Sequence, residues 1–162
     1  MSFLLDTDIL SLFAKAEAID LLLRLLRVER LAITQGVFDE LAIPLQYGYQ
    51  FPHSIFAAST TVPLAAVELV LYETLRLEGV VSAADAEQIA ICQVRGWAYV
   101  TMDQVAARTA RQHSVRTIGL HAIFKALQQA NIMSDDALRS LLDRMERLDR
   151  TRFTFRDDLF PA

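Results

Sequence analysis

The first eight residues constrain the fold most, because a short apolar run is followed at once by two acids. Phe3, Leu4 and Leu5 show no polar alternation, which is typical of a strand buried on both faces in a parallel sheet. Asp6 and Asp8 come next, where the chain takes up helical spacing. An acid between a parallel strand and the following helix lies at the carboxyl edge of the sheet, where open α/β proteins bind ligands. Later acids in equivalent positions would therefore share a site with Asp6.

Further apolar runs and amphipathic segments alternate along the chain, as expected for an α/β protein. Strands are predicted at residues 31–34 and 97–101, with shorter ones at 60–62 and 114–118. Helices are predicted from spacing, caps and breakers: 16–30, a helix that follows Thr34 and ends at Pro44, 65–77, 84–95, 104–112, 121–130 and 134–148. We expect a three-layer α/β/α sandwich around a central, mainly parallel sheet.

Length and composition favour one packed domain. The chain has 162 residues, of which 53% are hydrophobic, so it can bury a core without disulfide bonds. We expect a single domain over residues 1–162, with a core over about 1–130 and a C-terminal helical extension over about 131–150. No segment reaches the roughly 20 apolar residues that cross a bilayer, and the N-terminus lacks the basic region of a signal peptide. With Cys92 as the single cysteine, we expect a cytoplasmic protein.

Four carboxylates occupy positions that a parallel sheet would bring to one edge. Asp6 follows the first strand, Glu40 lies on the helix after the second strand, and Asp103 follows a later strand. Asp85 lies in the first turn of a helix that Ser82 can cap. Any one of these acids alone is explained as a helix cap or a solvated helix residue. Together, with right-handed crossovers that direct every strand end to the same edge, they predict one acidic site.

Such a site predicts metal-dependent hydrolysis of phosphodiesters. Neighbouring carboxylates repel each other, so a cluster of them needs a cation. Oxygen-only ligands favour Mg²⁺ or Mn²⁺, whereas zinc sites use thiolates or imidazoles. A divalent cation there would activate water and neutralise charge on a phosphate. His53, His113 and His121 share no metal-ligand spacing, and the chain has neither a nucleophile elbow nor a glycine-rich phosphate loop.

Taken in their order along the chain, the sequence motifs resemble those of the PIN domain, the fold of VapC-type toxin ribonucleases. The matching segments lie within about residues 1–130: Leu4 to Asp8, Thr34 with Glu40 and Leu41, Ser82 to Ile91, and Tyr99 to Asp103 followed by Arg108. The ending, from Thr117 through the helix at 134–148, is similar to a PIN subgroup with an extra C-terminal helix. The resemblance implies that the metal-binding and catalytic acids are Asp6, Glu40, Asp85 and Asp103. It also implies supporting roles for Thr7, Asp8, Glu87 and Thr101.

The resemblance implies a function as well. It points to a Mg²⁺- or Mn²⁺-dependent endoribonuclease that hydrolyses RNA, the toxin component of a type II toxin–antitoxin pair. An antitoxin would lay a helix across the acidic edge and place an arginine among the carboxylates. PIN domains commonly dimerise, and the apolar helix at 65–77 offers a face for a homodimer.

Three alternatives stand beside this interpretation. A PIN-fold module that binds nucleic acid or protein without turnover would take up metal but cleave nothing. A DNA-directed nuclease is disfavoured, because the chain has no long basic arm. A receiver-like phosphotransfer domain would need a lysine on a late strand, and Lys125 lies on a predicted helix. The aromatic cluster within residues 44–61 is either a substrate or partner surface or the packing of a long connection.

Overall fold

The computed structural model describes all 162 residues, and every strand pair in it is parallel. The strands are β1 (Phe3–Leu5), β2 (Leu31–Thr34), β3 (Ser59–Val62), β4 (Ala98–Val100) and β5 (Thr117–Ile118). Hydrogen bonds join β1, β4 and β5 in the order β1-β4-β5, and they join β2 to β3. β2 lies against β1 without sharing a ladder with it. All the strands therefore end at one edge, as predicted.

Helices connect the strands, and side-chain caps begin several of them. Asp6, Thr34, Ser82, Asp103 and Ser134 each cap a helix by accepting a hydrogen bond from a backbone N–H. None of the helices is both long and apolar enough to cross a membrane. The helices are α1 (Thr7–Lys15), α2 (Ile19–Leu26), α3 (Gln35–Gln46), α4 (Pro52–Ala57), α5 (Ala66–Glu78), α6 (Ala83–Arg95), α7 (Gln104–Gln112), α8 (Leu120–Gln129), α9 (Asp135–Asp149) and α10 (Arg156–Leu159).

The alternation of side chains along the strands divides the core between the two faces of the sheet. Leu5 and Val100 pack with α1, α2, α8 and α9 in the larger hydrophobic cluster. Leu4 and Tyr99, the preceding residues on the same strands, pack with α5, α6 and α7 in the smaller one. The expected three-layer α/β/α sandwich is therefore confirmed.

Two helix boundaries differ from the prediction. The segment 16–30 was expected to be one helix, but α2 covers only Ile19–Leu26, because Arg27 takes a left-handed conformation with φ 55° and ends it. Pro44 was expected to end α3, but it lies inside the last turn and the helix continues to Gln46. A proline inside a helix removes one hydrogen bond and crowds the carbonyl four residues back, but here only two helical residues follow Pro44.

The C-terminal segment belongs to the main core. Helix α9 buries Leu138, Leu142 and Met145 in the larger cluster, and Phe153 from the following turn joins them. Residues after Arg150, for which the sequence predicted no regular structure, contain the short helix α10. The C-terminal segment thus covers one face of the sheet rather than projecting from it.

Candidate active site

A wholly polar cavity of about 190 Å³ opens at the carboxyl edge of the sheet. The structure brings all four predicted acids to this cavity, together with the predicted supporting residues Thr7 and Asp8. Thr101 and Glu87 lie outside the lining and act on it through hydrogen bonds. The cavity is lined by Asp6, Thr7, Asp8, Glu40, Ser82, Asp85 and Asp103.

Asp6 lies deepest in the cavity, with only 5% of its surface exposed. Its Oδ1 accepts a hydrogen bond from Ile9 N at 2.7 Å and so caps α1. Its Oδ2 accepts from the Thr101 hydroxyl at 2.5 Å and from Met102 N at 3.0 Å. Burial raises the pKa of Asp6 to about 6, although these hydrogen bonds favour the ionised form and oppose the shift. At neutral pH the carboxylate is charged but takes up a proton readily.

Thr101 couples two of the acids through one hydroxyl group. The hydroxyl donates to Asp6 Oδ2 and accepts a hydrogen bond from Asp103 N at 3.0 Å. Asp103 in turn accepts from Val105 N at 2.7 Å and from Ala106 N, which holds its Oδ1 at the start of α7. Thr101 is buried, so its hydroxyl has no competing water and fixes how the two acids lie relative to each other.

Asp85 is held by two hydroxyl groups, one on each carboxylate oxygen. Tyr99 donates to Oδ1 at 2.6 Å, and Ser82 donates to Oδ2 at 2.9 Å. Burial, followed by the negative charge of Asp85, raises the pKa of the Tyr99 phenol, so it stays a donor. The sequence analysis assigned no role to Tyr99, since it lies within an apolar strand. Ser82 was predicted only as a helix cap, a function it also performs.

Glu40 faces the same cavity from α3 and accepts a hydrogen bond from the Thr7 hydroxyl. Burial raises the pKa of Glu40, and the charges of Asp85 and Asp8 raise it further. The pKa of Asp8 is also raised, first by burial and then by the charges of Asp85 and Asp103. Burial is the main cause of both shifts, and the repulsion between neighbouring carboxylates adds to it.

Glu87 connects α6 to α3 rather than lining the cavity. Its Oε2 accepts from Gly36 N at 2.8 Å. The two helices approach so closely here that a Cβ on Gly36 would lie 2.8 Å from Ala84 Cα. This contact sets the position of α3, which carries Glu40, relative to α6, which carries Asp85. Glu87 therefore supports the cavity indirectly.

The side chains that line the cavity suit a hydrated cation that prefers oxygen ligands. No three of the acids lie together as a preformed metal-ligand cluster. Mg²⁺ keeps several of its waters and is commonly bound through one or two carboxylates, so acids spread around a polar cavity suit it better than a tight cage would. The cavity offers carboxylates and hydroxyls but no imidazole or thiolate, which favours Mg²⁺ or Mn²⁺ over zinc.

Comparison with known proteins agrees with this geometry. A family model described as PIN domain matches residues 2–156, a range that includes every strand and every residue of the cavity. A comparison with curated proteins gave no match. PIN domains are commonly nucleases, and PIN nucleases typically use divalent metals. With nearly the whole chain matched by that model, the protein belongs to the PIN domain family.

Proposed function

We propose that this protein is a metal-dependent endoribonuclease that hydrolyses RNA phosphodiester bonds. The observation that carries the proposal is the polar cavity in which Asp6, Glu40, Asp85 and Asp103 face one another at the carboxyl edge of the sheet. Membership of a family that is commonly nucleolytic supports the same reaction class. The cavity contains no histidine, cysteine or lysine, so its own side chains offer only carboxylates and hydroxyls to the reaction.

The same four acids would hold the Mg²⁺ or Mn²⁺. When bound, such a cation supplies Lewis-acid activation of water and offsets the negative charge of the phosphodiester. The chain's own residues orient the acids: Thr101 and Met102 N hold Asp6, while Tyr99 and Ser82 hold Asp85. Because these donors are in place before substrate arrives, the acids need little reorganisation.

We also propose that the ribonuclease is the toxin of a type II toxin–antitoxin pair. Its acidic cavity is complementary to a cationic side chain, so an antitoxin helix that inserts an arginine there would block the site. Expression of the wild-type protein should slow growth of its host, and expression of Asp6→Asn should not. Co-expression of a neighbouring reading frame that restores growth would identify the antitoxin. Equal growth with both proteins contradicts the toxin assignment.

A homodimer through α5 is the assembly we propose. Val67, Val70 and Leu77 lie on one face of this helix at helical spacing and are 65%, 73% and 89% exposed. A second copy of the chain would cover these side chains. Light scattering should give twice the monomer mass for the wild-type protein and the monomer mass for Val70→Glu. A monomeric wild-type protein contradicts this assembly.

The direct test of the reaction is cleavage of a mixed, structured RNA in Mg²⁺ or Mn²⁺. We expect cleavage by the wild-type protein and by Asp39→Asn, a control that alters an exposed acid beside Glu40 but outside the cavity. EDTA and Asp85→Asn should both abolish cleavage. If structured DNA is cleaved and RNA is not, the protein is a DNA-directed nuclease. If neither is cleaved although metal binds, it is a binding module without turnover.

A further inference from the structure

A second and larger cavity adjoins the acidic one and shares two of its residues. It has a volume of about 860 Å³, and Thr7 and Asp8 line both cavities. We call it the α1–α9 groove; its lining includes Lys15 of α1, Tyr49 and Phe51 from the connection before α4, and Arg150 at the end of α9. The groove therefore leads directly into the site where we place the reaction.

Two of the three charged side chains that line the groove, Lys15 and Arg150, are cationic, and Asp8 is the third. The Arg150 side chain is exposed and makes no hydrogen bond or ion pair, whereas its backbone N–H donates to Glu146 O. Arg150 is the C-cap residue of α9, with φ 50°. Lys15 lies 5.3 Å from the centre of the Phe51 ring and pairs with Asp149 at 3.2 Å. Arg150 is thus the cation available to an incoming anion, with Lys15 partly neutralised beside it.

The groove also contains an exposed aromatic ring. Tyr49 is 61% exposed, and its ring meets the edge of Phe51 at a centroid distance of 6.3 Å and an interplanar angle of 62°. The contact with Phe51 leaves much of the Tyr49 ring open to solvent. Exposed aromatic faces beside a cationic side chain are what proteins use to bind single-stranded nucleic acid, by stacking on its bases.

A nuclease with this charge distribution needs such a surface. The acidic cavity and a net charge of −4 both repel a phosphate backbone, so binding energy must come from groups outside the cavity. Building on the ribonuclease function proposed above, we propose that the α1–α9 groove binds the single-stranded RNA segment next to the scissile phosphate. One base stacks on Tyr49, and the adjoining phosphate pairs with Arg150. Bases in a duplex are not free to stack on a side chain, so the groove selects unpaired RNA.

This assignment gives a common role to two segments of the chain. Tyr49 and Phe51 come from the aromatic stretch within residues 44–61, and Arg150 comes from the C-terminal extension. The two segments face each other across α1, which contacts both α4 and α9. Neither segment contributes a residue to the lining of the acidic cavity. Both are therefore free to determine which RNA is bound.

The test measures binding separately from cleavage. All proteins carry Asp6→Asn in Mg²⁺, and the probe is a short, fluorescently labelled single-stranded RNA of random sequence. Tyr49→Ala should raise the dissociation constant about 5- to 150-fold. Tyr47→Ala is its matched control, because Tyr47 is also exposed, at 76%, and does not line the groove.

Arg150→Gln should weaken binding and lower the slope of log affinity against log salt concentration by about one, since one phosphate contact is lost. Arg27→Gln is its matched control: Arg27 also ends a helix in the left-handed conformation, with φ 55°, but lies outside the groove. The salt slope separates a lost phosphate contact from a change in folding.

The outcomes distinguish the groove from the reaction. Weaker binding by Tyr49→Ala and Arg150→Gln, with both controls unchanged, supports the groove as the RNA path. If neither groove variant changes the affinity for RNA, the groove is not the RNA path. The ribonuclease proposal then stands unaffected, and we would assign the groove to a protein partner. Tighter binding of duplex than of single-stranded RNA also overturns the groove proposal. If the Asp6→Asn protein binds no RNA at all, the groove proposal fails, and the cleavage assay described above decides the ribonuclease proposal separately.

Discussion

The phenol of Tyr99 donates a hydrogen bond to Asp85 Oδ1 across 2.6 Å and so joins the hydrophobic core to the acidic cavity. The Tyr99 ring is completely buried in the smaller core cluster, on the middle strand of its ladder. Asp85 lies on α6, in the layer above. The hydrogen bond therefore holds Asp85 to a side chain that is fully buried in the core.

Tyr99→Phe should reduce activity while the fold is retained. The ring stays in its core position, but Asp85 loses the donor that orients Oδ1. We expect nuclease activity to fall about 10- to 100-fold, as is usual when a group that orients a metal ligand is removed, and stability to fall by about 1 kcal/mol. Tyr72→Phe is the control, since Tyr72 packs against the same cluster but not against an acid. Equal activity of the two variants would mean that Asp85 needs no orientation.

Thr101→Val should impair the site more than Thr101→Ser. Valine removes the hydroxyl that donates to Asp6 and accepts from Asp103 N, and it leaves that N–H buried without a partner. Serine restores both hydrogen bonds at the cost of one methyl group. We expect Mn²⁺ affinity, measured by calorimetry, to fall about 10- to 100-fold for valine and to recover in large part for serine. Failure of serine to restore affinity would show that the methyl group, not the hydroxyl, is what matters.

Gly36→Ala should destabilise the protein and disturb the cavity. The added Cβ would lie 2.8 Å from both Ala84 Cα and Glu87 Oε2, so α3 must move away from α6. We expect the free energy of unfolding, measured by chemical denaturation, to fall by about 1–3 kcal/mol. Activity should also fall, because Glu40 moves with α3. The control is Gly119→Ala, where a Cβ meets nothing within 4 Å. If Gly36→Ala is as stable as Gly119→Ala, the two helices are not in close contact at this point.

Stability of the metal-free protein should depend on pH through Asp6. The pKa of Asp6 is raised to about 6 by burial, whereas an unfolded aspartate titrates near 3.9. Between these values the folded state keeps a proton that the unfolded state has released, so the folded state loses stability as pH rises through this window. In EDTA, we expect the free energy of unfolding of the wild-type protein to fall, relative to that of Asp6→Asn, by at most about 3 kcal/mol between about pH 4 and 7. Denaturation curves whose difference stays constant with pH would contradict this.

Metal affinity should show the opposite dependence on pH. The cation and the proton compete for Asp6, so below about pH 6 each bound cation must displace a proton. We expect affinity for Mn²⁺ to fall by up to about tenfold per pH unit below that point and to level off above it. Titrations in buffers of different ionisation enthalpy would count the protons released. An affinity that is constant from about pH 5 to 7 would place the cation away from Asp6.

Three of the four acids could be found from the sequence because each one follows a recognisable local signal. Asp6 comes directly after a buried apolar strand, Asp103 comes three residues after another, and Asp85 lies three residues after a serine cap. Parallel topology then brings them to one edge without any detailed knowledge of packing. The supporting hydrogen bonds could not be found in this way. Tyr99 was predicted as a strand residue, and nothing in its neighbours along the chain indicates that its hydroxyl reaches Asp85.

Element boundaries were less predictable for a different physical reason. Hydrophobic spacing identifies the buried face of a helix but not the residue at which its hydrogen bonds stop. The spacing continues past Arg27, whose left-handed conformation ends α2, and Pro44 is tolerated because it lies in a last turn. The position of the C-terminal segment also depends on contacts that are distant in sequence. Phe155 stacks on Phe124 of α8, and Phe153 stacks on Phe155 and meets the Phe124 ring at a tilt of 41°.

We expect the acids of the cavity to bind one kind of divalent cation jointly. The most direct measurement is calorimetric titration of Mn²⁺ into the wild-type protein, Asp6→Asn and Asp39→Asn near neutral pH. We predict saturable binding to wild type and to Asp39→Asn, with at least about tenfold weaker binding to Asp6→Asn. Absence of binding to the wild-type protein, or equal affinity for all three proteins, would show that the acids of the cavity do not bind the cation jointly.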